Sequence, residues 1–223
     1  MLFRSDVYKP SRNVFAASMG KAVVKEGFDI LLTFIAGEYL VDVRTDKGEQ
    51  LAQKMPQKEE ADQYLVARRE QVWEDAQRFL SRHCLKCSPD DLPRLLNTSD
   101  AYQHPVWARR AQKCYSCGSC TMVCPTCYCF DVKDDPGWDL KSARRERIWD
   151  SCQLEGFALV AGNHNFRGTR AERFRHRYYR KGKYLWDRMG QIACVGCGRC
   201  ISACTSNIAN PVEVFNSLWE DRK

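Results

Sequence analysis

Two runs of cysteines share one spacing, and they constrain this chain more than any other feature of its sequence. The first run is Cys114, Cys117, Cys120 and Cys124, and the second is Cys194, Cys197, Cys200 and Cys204. Each run reads C-x2-C-x2-C-x3-C, the pattern with which bacterial ferredoxins hold cubane [4Fe–4S] clusters. This spacing lets one loop wrap three thiolates around a cube, while the fourth cysteine of the run ligates the other cube.

The crossing of the fourth ligand predicts two [4Fe–4S] clusters with defined ligands. Cluster 1 takes Cys114, Cys117, Cys120 and Cys204, and cluster 2 takes Cys194, Cys197, Cys200 and Cys124. Zinc also accepts four thiolates, but zinc ribbons use two C-x2-C pairs separated by many residues. The stretch Cys120-x3-Cys124-x2-Cys127 matches the three-cysteine loop of radical SAM enzymes as well, without the strands of their large α/β barrel.

Five cysteines lie outside the two runs: Cys84, Cys87, Cys127, Cys129 and Cys152. The pattern places Cys84 on the apolar side of an amphipathic helix and predicts a buried core thiol. Cys127 and Cys129 directly follow a predicted ligand, which favours packing around the cluster over ligation. A third metal site assembled from the five stays open as an alternative.

Composition excludes several classes of protein. Thirteen cysteines in 223 residues are about 6%, below the roughly 8–10% of disulfide scaffolds, which are short secreted chains. The first thirteen residues have no apolar signal-peptide core, and the longest apolar run, residues 30–37, is too short to span a bilayer. We therefore expect a cytoplasmic protein without membrane insertion, whose thiolates hold metal.

The fold class predicted from these patterns is mainly α, with a small N-terminal α+β segment and a helical-ferredoxin-like dicluster domain. Residues 28–45 alternate as two strands around a turn at residues 36–38, and residues 57–84 have helical periodicity. Near the C-terminus, Asn210 can cap a closing helix that starts at Pro211. The predicted division is an arm and hairpin segment at 1–55, with 1–20 irregular, a helical segment at 56–100 and the two-cluster domain at 101–223.

A basic insert at about 133–190 separates the two runs. Its densest part carries nine cations: Arg167, Arg170, Arg173, Arg175, Arg177, Arg180, Lys181, Lys183 and Arg188. Cations stabilise an anionic cluster and raise its potential, and they also attract an acidic redox partner. Basic stretches with interleaved aromatic residues bind nucleic acid too, which makes a nucleic-acid-binding protein with structural clusters the alternative of another class. His164, in a polar loop, is a candidate donor to a cluster sulfide.

With these residues in hand, the chain resembles the iron–sulfur (beta) subunits of sulfhydrogenases, the cytosolic NAD(P)-linked [NiFe] hydrogenases, and the related A subunit of anaerobic sulfite reductase. The resemblance rests on residues 113–132, 147–168, 173–185 and 194–215, and more weakly on 27–51. It implies an electron-transfer subunit that passes single electrons between a flavin/NAD(P)-linked subunit and a catalytic, hydrogenase-like subunit. An iron–sulfur subunit of a heterodisulfide- or sulfite-reductase-type enzyme is the nearer alternative.

Two departures from the family pattern qualify what the resemblance implies. Thr205 stands where a proline commonly follows the last ligand, and residues 14–20 lack the cysteine pair that family members carry there. The chain therefore looks N-terminally shortened relative to the family. Since no G-x-G-x-x-G or P-loop pattern is present, any flavin, nucleotide or nickel site is expected on another chain, and this subunit is expected to be non-catalytic.

Overall fold

A computed structural model describes residues 11–56, 58–80 and 83–222. The chain divides into two compact units, which meet in sequence between His83 and Cys84. The first contains a hairpin and two helices, and the second contains both cysteine runs. The predicted irregular arm at 1–20 lies partly outside the described residues. From residue 11 to residue 29 the chain is irregular, with Phe15 and Met19 buried.

The first unit is organised by an antiparallel hairpin of β1 (Ile30–Ile35) and β2 (Glu38–Val43). Both residues of its tight turn, Ala36 and Gly37, have positive φ angles of 50° and 100°. That geometry is the one that matches the twist of two paired strands in a two-residue hairpin. Alternate residues of β1 are buried, so one face of the hairpin packs inward.

Two helices complete the first unit: α1 (Asp46–Gln53) and α2 (Gln63–Phe79). Thr45 and Asp62 cap them by accepting backbone N–H groups. Within this unit α2 packs against both strands, and its half-buried Arg69 forms an ion pair with Asp42 of β2. The helix predicted over 57–84 is thus shorter than its periodicity indicated, because Asp62 caps it and residues 58–62 stay outside it.

The second unit is built from short elements around the two cysteine runs. Its helices before and within the first run are α3 (Leu92–Leu95), α4 (Ser99–Gln103), α5 (Val106–Ala111) and α6 (Ser119–Met122). Two small antiparallel sheets follow, formed by β3 (Phe130–Pro136) with β4 (Ala143–Trp149), and by β5 (Leu159–Val160) with β6 (His164–Asn165). The remaining helices are α7 (Arg170–Tyr179), a π-helical turn (Arg180–Tyr184), α8 (Leu185–Met189), α9 (Arg199–Ser202) and α10 (Pro211–Glu220).

An aromatic cluster forms the core of the second unit. Trp107 of α5 contacts Phe174 and Tyr178 of α7, and Tyr178 packs edge-on against Phe215 of α10 with ring centroids 5.7 Å apart. All four side chains are at most 2% exposed. The closing helix begins as predicted, because the side chain of Asn210 accepts the N–H of Val212. The core therefore holds α7, the element that lies beside the cysteines, in a fixed position.

The mainly helical class with small sheets is confirmed. The prediction that Cys84 is a buried helical thiol is wrong: α2 ends at Phe79, and Cys84 is exposed in the loop that opens the second unit. The three-part division at residues 55 and 100 stays a prediction. Within the described residues, no helix has both the length and the apolar composition that crossing a bilayer requires.

Candidate metal centre

The two cysteine runs fold into loops with the same backbone conformation. Gly118 and Gly198 have φ angles of 78° and 69°, and each precedes a one-turn helix, α6 or α9, that carries the third cysteine of its run. The residues two positions before them, Ser116 and Gly196, also have positive φ. Because α6 packs against α9, the repeated loops lie side by side within the second unit.

These loops point backbone N–H groups at the sulfur atoms. The N–H of Ser116 donates to Cys114 Sγ at 3.4 Å, and the N–H of Gly196 makes the equivalent bond to Cys194. The hydroxyl and the N–H of Ser119 both stabilise the thiolate of Cys117 and lower its pKa. N–H donors aimed at sulfur are one of the means by which proteins hold iron–sulfur clusters and tune them.

The four residues predicted for cluster 1 line one cavity. Cys114, Cys117 and Cys120 of the first run and Cys204 of the second run all contribute to its wall. Mainly small and apolar residues complete the wall: Tyr115, Gly118, Ser119, Gln153, Phe174, Thr205, Ser206, Ile208 and Ala209. The cavity thus brings Cys204 together with the first three cysteines of the other run, while the crossed ligation of the clusters stays a prediction.

The residues predicted for cluster 2 are joined less directly. Thr126, which follows Cys124, donates its hydroxyl to the carbonyl of Ala193 at 2.7 Å, next to Cys194. Cys194 and Cys200 interact electrostatically, and burial raises the pKa of Cys194 to about 12. Cys197 lies on the same loop and is partly exposed, but the structure gives its thiol no direct link to the other three.

Two pairs of thiols are hydrogen-bonded to each other, and one of them involves a predicted ligand. Cys127 donates to Cys124, which lowers the pKa of Cys124 and raises that of Cys127. Cys129 and Cys152 form the second pair. Among the described residues, no three or more His, Cys, Asp or Glu side chains converge on a single metal ion. A cube of four irons and four sulfides needs its thiolates spread more widely than a zinc ion does.

The dense part of the basic insert contributes three buried cations. Arg173, Arg177 and Lys181 follow one another at four-residue intervals along α7 and the π-helical turn, and each is at most 5% exposed. In the described part of the chain, no carboxylate forms an ion pair with any of them. A buried charge without a counter-charge is costly, so the cations require a negative group in their surroundings.

Cysteine thiols of both runs lie beside Arg177, and in their thiolate form they supply such a negative group. Arg173 donates to Ser116 Oγ of the first loop at 3.2 Å. Arg177 donates to the carbonyl of Cys120 at 3.2 Å, and its Nε and Nη1 atoms are buried without a hydrogen-bond partner. Although burial disfavours the charged form, the thiols of Cys120 and Cys200 raise the pKa of Arg177 well above its usual value. Arg177 therefore faces the third cysteine of both runs.

Lys181 reaches the second site through the π-helical turn. Its Nζ donates to Thr126 Oγ1 at 2.7 Å, while its carbonyl accepts the N–H of Ala193 at 3.0 Å. A π-helical turn interrupts the regular bonding of a helix, and such turns are frequent at functional sites. One residue thus links the helix, the end of the first run and the start of the second.

The chemistry of this donor set fits [4Fe–4S] clusters. Eight cysteines are presented by two loops with N–H donors on their sulfurs, and cations without carboxylate partners lie beside them. The sequence predicted a basic insert, but it did not single out the three buried members. Their spacing of four residues on one helix face was the available signal. His164, a predicted sulfide donor, is instead exposed, and its ring packs on Phe166.

Comparison with known proteins agrees with this geometry. Residues 113–208 match the family described as the 4Fe-4S dicluster domain. Over 212 residues, the chain is 35% identical to "Sulfhydrogenase 2 subunit beta" of Pyrococcus furiosus. The chain is therefore similar to a sulfhydrogenase beta subunit over most of its own length. The aligned region covers 95% of the chain and 61% of the relative, and no solved structure matches. The resemblance inferred from the sequence is thereby confirmed.

Proposed function

We propose that this chain is the electron-transfer subunit of a hydrogenase-type complex and binds two [4Fe–4S] clusters. Cys114, Cys117, Cys120 and Cys204 hold cluster 1, and Cys194, Cys197, Cys200 and Cys124 hold cluster 2. Bound clusters of this type supply one-electron exchange. The chain's own residues position them, donate N–H groups to the sulfur ligands and set the local charge.

The observation that carries this proposal is the cavity that Cys204 of the second run lines together with three cysteines of the first. A zinc ribbon would draw its ligands together at one point, whereas this cavity has thiols around its wall. The buried Arg177 supports the same reading, because its uncompensated charge lies beside a thiol of each run. The similarity to a sulfhydrogenase beta subunit supports the hydrogenase-type complex.

The proposed partners are a flavin/NAD(P)-linked subunit and a catalytic subunit of the [NiFe] hydrogenase type. The hairpin of β3 and β4 supports a role within a complex, since every residue of β3 is exposed. At its tip Trp138 is fully exposed and Leu140 is 88% exposed. Exposed apolar side chains in this arrangement are typical of surfaces that bind another protein. A cytoplasmic location stays a prediction.

The primary experiment measures iron and acid-labile sulfide on protein purified without oxygen, with EPR after dithionite reduction. About eight of each per chain, with interacting signals of two reduced clusters, supports the proposal. About four of each contradicts the second site, and about twelve adds a third site built from the spare cysteines. Zinc in place of iron overturns the redox function altogether.

Paired variants test which cysteines share a cluster. Cys114→Ala and Cys204→Ala should each remove about four irons, and combining them should remove no more than either alone. Combining Cys114→Ala with Cys124→Ala should remove about eight. Cys87→Ala is the matched control, because this buried thiol lies outside both runs, and it should retain all the iron. Additive loss for the first pair would contradict the crossed assignment.

A further inference from the structure

The proposed electron-transfer function assigns no role to Cys129 and Cys152. Cys129 directly precedes β3, and Cys152 lies three residues after β4 ends at Trp149. Strand pairing of Phe130 with Trp149, and an N–H of Asp150 that donates to the carbonyl of Cys129 at 3.1 Å, close this end of the hairpin. The backbone therefore holds the two cysteines next to each other.

Their side chains are in direct contact. The thiol of Cys152 donates to the sulfur of Cys129, and the backbone N–H of Cys152 donates to the same atom. Gln153 Nε2 in turn donates to Cys152 Sγ at 3.6 Å. The surroundings are electropositive, because the side chains of Arg180 and Lys181 act on Cys129. Positive charge and N–H donors favour the thiolate, which is the reactive form of cysteine.

The two sulfurs differ in accessibility. Cys129 is partly exposed, whereas Cys152 is 2% exposed. Reversible thiol chemistry commonly uses this arrangement, with an accessible cysteine that reacts first and a neighbouring cysteine that resolves the product. The hydrogen bond from Cys152, opposed by burial, lowers the pKa of Cys129, while the same bond and burial raise that of Cys152. The order of reactivity agrees with the order of exposure.

We propose that Cys129 and Cys152 form a redox-active dithiol that exchanges with small-molecule disulfides. The thiolate of Cys129 attacks one sulfur of the disulfide RSSR, forms a mixed disulfide and releases RS⁻. Cys152, after losing its proton to solvent, attacks Cys129 Sγ and releases the second RS⁻. The protein dithiol is oxidised by two electrons to a disulfide, and RSSR is reduced by the same two electrons to two thiols.

This inference goes beyond the proposed function and does not depend on it. The dithiol uses none of the eight cysteines of the two proposed cluster sites, so its test is independent of the iron analysis. A protein with two clusters and no exchange would contradict only the dithiol. A protein with exchange and no clusters would contradict only the electron-transfer proposal.

The test equilibrates the anaerobically purified full chain with oxidised or reduced glutathione, blocks free thiols at acidic pH and digests with trypsin. Cys129 lies on the tryptic peptide 114–133, and Cys152 lies on the peptide 148–167. We expect these two peptides to be joined in oxidised glutathione, with at least tenfold more of the joined product than in reduced glutathione. Fragmentation of the product should place the bond between residues 129 and 152.

Serine variants resolve the roles of the two sulfurs. Cys152→Ser should accumulate glutathione on Cys129, because the mixed disulfide lacks its resolving thiol, whereas Cys129→Ser should gain no adduct on Cys152. Cys87→Ser is the control and should form the bond normally, because Cys87 lies outside both runs and outside this pair. The iron content of every variant should equal that of the unmodified chain.

Three results would overturn the dithiol. One is the absence of the joined peptides at every glutathione ratio, and another is a joined product that persists in Cys129→Ser. The third is a loss of about four irons in Cys129→Ser, which would make this residue a cluster ligand. Cys129→Ala repeats the measurement with a side chain that cannot donate a hydrogen bond, so a folding defect of the serine variant does not decide the outcome.

Discussion

Replacing Arg177 by glutamine should make both of the proposed clusters harder to reduce. The side chain is 3% exposed, donates to the carbonyl of Cys120, and interacts with the thiols of Cys120 and Cys200. Glutamine keeps a hydrogen-bond donor but removes the positive charge. An added electron is stabilised by a nearby cation, so loss of that cation lowers the reduction potential.

The size of the effect follows from Coulomb's law. Two unit charges at 4 Å interact by about 4 kcal/mol at an effective dielectric constant of 20. The added electron is spread over the whole cluster, so its mean distance from the guanidinium is longer than 4 Å. We therefore expect an interaction energy of ~2 kcal/mol. For a one-electron couple, that corresponds to a potential lower by roughly 90 mV. Because Arg177 faces a cysteine of each run, both potentials should fall.

The assay is an EPR-monitored redox titration of the purified protein, with iron content measured on the same samples. Arg175→Gln is the matched control: it removes the same charge from the same helix, but Arg175 stacks on the ring of Tyr102 with its guanidinium carbon 3.8 Å from the ring centroid. Arg177→Lys keeps the positive charge, so its reduction potentials should stay close to those of the unmodified protein. Potentials of Arg177→Gln that match those of Arg175→Gln would refute the electrostatic reasoning.

Three further outcomes are expected from the same structure. Lys181→Gln should lower the potential of cluster 2 more than that of cluster 1 in the same titration, because Lys181 bonds to Thr126 beside the second loop; equal shifts would contradict this. Gly118→Ala should destabilise the fold by about 1–3 kcal/mol and release iron from cluster 1, because its φ is +78° and a Cβ would lie 2.9 Å from Ser151 Oγ. Gly162→Ala, at a φ of +79° with open space around it, should cost less in denaturant titrations and keep its iron. Burial and the charges of Arg167 and Arg180 lower the pKa of His176 to about 4, so as pH falls from about 6.5 towards 4 the unfolded chain binds a proton that the folded chain does not. We expect this to cost about 1–2 kcal/mol of stability after allowing for partial exposure. The loss should be smaller in His176→Gln when unfolding midpoints are compared at pH 7 and pH 5, and an equal loss in both proteins would count against a half-buried His176 that stays neutral.

Patterns that act over a few residues were predictable from the sequence. The hairpin of β1 and β2 and the cap at Asn210 follow from local turn and capping chemistry. The two loops of the metal centre are local as well, because their spacing and small residues such as Gly118 specify the left-handed positions. The cysteine ligands assigned by spacing stay a prediction that the iron analysis tests.

The prediction from helical periodicity was wrong where the pattern is longer than the helix. The pattern over 57–84 extends past the last turn of α2, so Cys84 was placed on a helix face although it is exposed in a loop. Periodicity measures which residues could share a face, but it does not show where the backbone hydrogen bonds stop.

The sequence by itself determined that this chain carries two equivalent loops for iron–sulfur chemistry, because the ligand spacing is local and needs no knowledge of the fold. Only the tertiary structure decided which cations of the basic insert are buried. Nine basic residues look alike in the sequence, yet the folded second unit buries Arg173, Arg177 and Lys181 and leaves the others at least partly accessible. Burial is a property of contacts between distant segments, and a cation removed from water acts on its neighbours far more strongly than one in solvent.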